Sequence, residues 1–132
     1  MPTLEQERAA FALQKIDSIK EGESRGKFKT QLLKLPARLH NNGLGPTVAF
    51  YLSAGKDKPE AVICDWLQVW LGDKREIYPA GKDLIRSISG LGLKQGADPE
   101  AKYREASSEA RALAVWLKRF AEAFIAGQGE DK

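Results

Sequence analysis

Metal and redox chemistry have almost nothing to work with in this chain. One cysteine, Cys64, cannot close an internal disulfide, and with the one histidine, His40, it cannot supply a tetrahedral zinc site. Cys64 follows the apolar run Ala61-Val62-Ile63 and reads as a small buried hydrophobe. His40 ends a basic helix, where it caps carbonyls or faces water. No carboxylate cluster has ligand spacing, so neither a metal nor another cofactor is expected. Apolar runs fall far short of the roughly 20 residues a membrane-spanning helix needs. Met1-Pro2-Thr3-Leu4-Glu5 opens a polar helix rather than a signal peptide, which makes the cytoplasm the expected location.

The usual catalytic constellations are missing too. There is no phosphate loop of the Walker type, no serine elbow, and no His/Cys or His/carboxylate set of workable spacing. Gly43-Leu44-Gly45 is too short for a nucleotide fingerprint and is complete as a turn between helices. Glu105 and Glu109 read as neighbours on a helix surface with nothing to raise either pKa. An enzyme is therefore not expected. No pair of strands with a convincing hairpin turn appears either.

One further absence is local. From Arg25 to Lys56 there is no Asp or Glu, while Arg25, Lys27, Lys29, Lys34, Arg38 and Lys56 are basic. A net charge of +3 is modest, but this segment makes a cationic surface.

What is present points to helices. The 132 residues suit one domain with a real core, and 42% hydrophobic with 30% charged residues is ordinary for a soluble globular protein. Thr3 and Gln6 fit a capping box for a first helix from Leu4 to about Lys20, with Phe11, Ala12, Ile16 and Ile19 on one side. After the polar loop Glu21 to Gly26, Phe28, Leu32, Leu35 and Leu39 recur at i, i+4, i+7 and i+11, one face of a second helix. One position earlier, Lys27, Gln31, Lys34 and Arg38 repeat that spacing about 100° round the axis. Pro36 inside this run implies either a kink or a break with a restart.

The Asn41-Asn42-Gly43-Leu44-Gly45-Pro46 joint ends the helix. Asn42 and Gly43 take positive φ cheaply, and Pro46 suits the first turn of a third helix to about Ala54. Apolar Leu44 is expected to tuck the corner into the core. Asp57 or Lys58 caps a fourth helix that starts at Pro59 and ends at Gly72. Leu84, Ile85 and Ile88 form a short helix starting near Gly81 or Asp83, and Gly90, Gly92 and Gly96 loosen the chain after it.

Asp98-Pro99 starts the longest helix, which ends near Gly127. Its apolar positions Tyr103, Ala106, Ala110, Leu113, Leu117, Phe120 and Phe124 step by 3, 4, 3, 4, 3, 4, a seam suited to packing along another long helix. Trp116, beside the seam, is expected to be at least partly structural. Arg104, Arg111 and Lys118, seven residues apart, each follow a seam residue and form a second basic stripe. The expected fold is all-α, a single-domain bundle of five to six helices over 1–127 with a long C-terminal helix, followed by a disordered polar tail at 128–132.

Two binding classes fit these features. One is a helical module whose stripes Lys27, Lys34, Arg38, Arg104, Arg111 and Lys118 bind nucleic-acid phosphates without reading sequence. The other is a helical adaptor, on which the basic stripes are a solvated face and exposed Trp70 or Trp116 marks a protein interface. A helix-turn-helix DNA binder is disfavoured, because the joint is followed by apolar Val48-Ala49-Phe50-Tyr51-Leu52, which lacks base-reading side chains.

The segments QERAAFALQKI, KLPARLHNNGLGPTVAFYL and YREASSEARALAVWLKRFAEAF, about half the chain, are similar in order and character to the small α-helical subunit of the type III-B CRISPR effector, the fifth subunit of the Cmr complex. The resemblance implies a non-catalytic subunit of an RNA-guided, RNA-targeting ribonucleoprotein, stacked in several copies. Its implied partners are other Cmr subunits, copies of itself, and guide and target RNA, with no membrane. No catalytic motif carries over from the family. The choice of the six basic residues rests on charge placement alone.

Overall fold

The structure is a computed structural model describing residues 1–20, 24–81 and 83–125; the tail expected at 128–132 lies outside them. Six α-helices follow in order: α1 (Leu4–Asp17), α2 (Ser24–Asn42), α3 (Leu44–Leu52), α4 (Pro59–Gln68), α5 (Leu84–Ile88) and α6 (Pro99–Phe124), with no strand among the described residues. The all-α expectation holds, and α6 is the longest element with 26 residues. No helix among the described residues is long and apolar enough to cross a membrane.

Local signals account for most boundaries. Thr3 Oγ1 accepts from the Gln6 amide at 3.1 Å, and Gln6 Oε1 accepts from the Thr3 amide at 2.7 Å, so the capping box closes both donors. Asp98 accepts from the amides of Glu100 and Ala101, with Pro99 in the first turn. Asp83 caps α5 through the Ile85 amide. α2 runs unbroken through Pro36, which excludes the break and restart. One departure has no local signal. α4 passes into a π-helical segment, Val69–Lys74, whose wider winding shows in the bond from the Arg75 amide to the Trp70 carbonyl at 2.9 Å.

The core forms where the apolar stripes meet. Leu32, Leu35 and Leu39 of α2 and Ala106, Ala110, Leu113, Leu117 and Ala121 of α6 are buried, together with Phe11, Ala12 and Ile16 of α1. Trp66 stacks on Phe28 with ring centroids 5.7 Å apart, tying α4 to α2. Cys64 is buried as expected, and burial pushes its thiol up to about 12.

The helices' senses follow from their polar ties. Lys29, early in α2, donates to the Ile125 carbonyl just past α6 at 3.0 Å, while the joint after α2 meets Tyr103 early in α6, so the two are antiparallel. Arg8 pairs with Glu109, and Arg25 bridges the Ile19 and Phe124 carbonyls, so α1 and α6 run the same way.

Glu109 corrects the sequence reading. It is 6% exposed rather than a surface neighbour of Glu105. Arg8 Nε and Nη2 donate to its two oxygens at 2.7 and 2.9 Å, Trp70 Nε1 donates at 2.9 Å, and Arg75 Nε lies 3.9 Å away. Arg8 Nη1 also donates to Glu5 at 2.8 Å, and Trp116 Nε1 donates to the other Glu5 oxygen at 2.8 Å. One network thus joins α1, α6 and the π segment. Trp70 is buried within it and is no exposed interface marker; Trp116 is half-buried and structural in part. Burial pushes the Glu109 carboxyl up, but the bonds from Arg8 and Trp70 and the charges of Arg8 and Arg75 outweigh it and hold the pKa below its ordinary value.

A carboxyl whose pKa is lowered by folding binds fewer protons folded than unfolded, so its stabilisation is present above the unfolded pKa and lost as pH falls through the folded one. Glu109→Gln should lower stability at neutral pH by about 3 kcal/mol, the low end for breaking a buried pair, because Arg8 keeps some solvent contact. Urea unfolding of both proteins, followed down through the carboxylate range, should show the gap narrowing as the wild type loses its advantage.

Candidate nucleic-acid interface

The joint between α2 and α3 decides which side chains share a face. Gly43 has φ 90° and ψ 165°, a conformation essentially restricted to glycine, and it both ends α2 and precedes the first residue of α3. Its amide donates to the Leu39 carbonyl at 3.0 Å. Asn42 stays within α2 instead of sharing the positive φ, and α3 starts at Leu44, ahead of the expected Pro46. Leu44 is buried, as its apolar character implied. Two ties set the corner: the Gly45 amide donates to the Tyr103 hydroxyl at 3.0 Å, and Thr47 Oγ1 donates to the Arg38 carbonyl at 3.0 Å. α3 is thereby folded back along the flank of α2 that carries Gln31 and Arg38.

Lys27 and Lys34 are exposed on that flank. Arg38 is half-buried and engaged: its Nη1 donates to Gln31 Oε1 at 2.6 Å and to the Tyr51 hydroxyl at 3.1 Å. Its guanidinium carbon lies 5.0 Å from the Phe50 ring centroid and 5.4 Å from that of Tyr51. The Tyr51 hydroxyl in turn donates to the Gln31 carbonyl at 2.9 Å, and burial raises its pKa despite the adjacent Arg38. Arg38 therefore fixes α3 to α2 as well as adding charge, although its position one place off the apolar stripe gave no sign of this.

Two more cations of the acid-free segment are committed elsewhere. Lys29 is 7% exposed, and with Arg25 it meets carbonyls at the C-terminal end of α6, where a helix leaves acceptors unpaired and favours positive charge. The free cationic surface of α2 is narrower than the count of basic residues suggests.

On α6, Arg104 and Arg111 are exposed and Lys118 is half-buried. Arg104 pairs with Glu100 at 3.2 Å, a surface contact of little energetic weight. Glu109 and Trp116, each one place before a seam residue, face α1, so the stripe one place after the seam lies on the flank away from α1. Between antiparallel helices, a stripe preceding the seam on one and a stripe following it on the other fall on opposite sides of the pair. Lys27, Lys34 and Arg38 thus form one cationic face, and Arg104, Arg111 and Lys118 form another. No hydrogen bond or ion pair among the described residues joins the two sets.

A family model described as CRISPR-associated protein (Cas_Cmr5) matches residues 4–124. The chain belongs to this family. It is also similar to the CRISPR system Cmr subunit Cmr5 of Thermus thermophilus, with 33% identity over 127 residues, 95% of this chain and 98% of that protein. The match runs from the start of α1 to the end of α6, so the family pattern covers every described helix.

Among the described residues no group of three or more His, Cys, Asp or Glu side chains is placed to hold a metal. A cleft of about 730 Å³, lined in part by Tyr78, Leu93, Lys94 and Lys102, contains no member of either stripe. The residues that sequence reasoning missed are Phe50 and Tyr51. Their signal was the phase of α3: with Leu44, Val48 and Tyr51 inward, Phe50 must point outward.

Gly43→Ala should destabilise the protein by about 1–3 kcal/mol through backbone strain at the joint, seen as a lower Tm. Gly45→Ala should cost less, since its φ is not positive and an added Cβ would meet Ile88 Cγ2 at a tolerable 3.4 Å.

Proposed function

We propose that this chain is a non-catalytic small subunit of a type III-B CRISPR Cmr ribonucleoprotein in the cytoplasm. It stacks in several copies beside other Cmr subunits and touches the backbone of guide and target RNA. Family membership supports the place in the complex. The observation that carries the RNA contact is the α2 face, where exposed Lys27 and Lys34 lead up to the fixed Arg38 in a segment without a single acidic residue.

Cations of this kind attract phosphate regardless of base. The flanking elements suit the task, because a rigid helix docked by its own apolar stripe holds the charges in a row. No recognition helix accompanies them: the outward residues of α3 include Pro46, Ala49, Phe50 and Leu52, which cannot read base edges in a groove.

The α6 stripe supports a second role. It lies on the opposite side and is interspersed with Glu100 and Glu105, which favours a neighbouring protein copy or a separate RNA strand over the track followed by α2.

Charge reversal in the assembled complex separates these roles. Lys27→Glu with Lys34→Glu should weaken target-RNA binding and flatten its log–log salt dependence by about 1.4, since each single-strand phosphate no longer neutralised takes away about 0.7. Arg104→Glu with Arg111→Glu should instead lower the number of copies per complex by native mass spectrometry. If the α2 reversals left RNA binding and its salt slope unchanged while copies failed to stack, the α2 face would be a protein interface.

A further inference from the structure

Phe50 leaves 57% of its surface open on a folded domain that buries the neighbouring Tyr51 completely. The exposure follows from the phase of α3, but the surroundings of the ring are not those of an ordinary surface phenylalanine. The Arg38 guanidinium sits 5.0 Å from its centroid, and it is held there by Gln31 at 2.6 Å and Tyr51 at 3.1 Å. Gln31 also lines a cleft of about 320 Å³ with Lys27, Thr30, Lys58 and Glu60, and exposed Lys34 lies one turn before Arg38.

We propose that Phe50, backed by Arg38, is a stacking platform for one unpaired base of single-stranded RNA, with the adjoining phosphates lying along Lys34 and Lys27. The inference rests on the α2 face being the RNA face, and adds a base contact to a surface so far assigned only to backbone. Three features select this occupant. Every charged residue of α2 is basic and α3 carries no charge, so the face is cationic apart from Glu60 at the rim of the adjoining cleft, which complements a polyanion and repels a basic peptide. The open ring is paired with a guanidinium, and single-strand binders combine aromatic rings, cation–π contacts and a basic track in this way. The guanidinium is fixed before any ligand arrives, so little side-chain freedom remains to be lost on binding.

A stacked base is lost when the base is removed but the phosphates remain, which gives a direct test. The full-length protein is titrated at low salt with a short single-stranded oligoribonucleotide and with the same backbone carrying abasic sites. Wild type and Phe50→Trp should prefer the intact strand by about five- to hundredfold, the effect of one base–aromatic stack. Phe50→Ala and Phe50→Leu should lose that preference while keeping the wild-type salt slope and helical circular dichroism, because the phosphate contacts are untouched.

If Phe50→Ala kept the preference, the platform would be refuted while the cationic face survived through its salt slope. If wild type bound neither strand, the RNA face and the platform would fall together. If Phe50→Ala left RNA binding intact but lowered the number of copies per complex, the ring would be a protein contact.

Discussion

A single buried carboxylate holds three parts of this bundle in register. Glu109 lies on the long helix at a position that would be solvent-facing on an isolated α6, and the fold covers it with Arg8 from α1 and Trp70 from the π-helical segment. An unpaired carboxylate there would be very costly, so the elements that supply its partners cannot drift without exposing or orphaning it. α1 is therefore located by a bidentate ion pair as well as by its apolar stripe. With α1 seated on one flank of α6, α2 on the seam and the second basic stripe on the remaining flank, the distribution of charge over the molecule follows.

Electrostatics is used twice in this small protein. Some cations are structural: Arg25 and Lys29 satisfy carbonyls at the end of α6, and Arg38 joins α2 to α3 through Gln31 and Tyr51. Others, Lys27 and Lys34, have no such task and face outward. The acid-free segment serves both purposes, since an acidic side chain among these residues would compete for the guanidinium and ammonium groups that tie the helices together. A basic count alone does not separate the two classes; only the positions of the neighbouring helices do.

Most of the fold was legible in the sequence because its signals are local. The capping box at Thr3, the Asp98-Pro99 start and the 3.6-residue recurrence of Phe28, Leu32, Leu35 and Leu39 each rest on residues within a few turns of one another. What escaped was set at long range. Glu109 looked like a surface residue because its partners lie 101 and 39 residues away. Arg38 looked free because the ring and hydroxyl that engage it come from across the joint. The π-helical winding after Gln68 has no signature in Val69-Trp70-Leu71-Gly72, and the separation of the two stripes depends on helix sense, which periodicity does not contain.

The carboxylate network has a practical side. Two of the three tryptophans donate their indole N–H to it, Trp70 to Glu109 and Trp116 to Glu5, while Trp66 sits apart against Phe28. Seating of α1 is thereby written into the emission of the protein itself, since unseating it takes Glu5 from the Trp116 indole and strips Arg8 and Phe11 from the surroundings of Trp70. Without any attached dye, intrinsic fluorescence becomes a gauge of whether the first helix is in place, free in solution or inside a larger assembly.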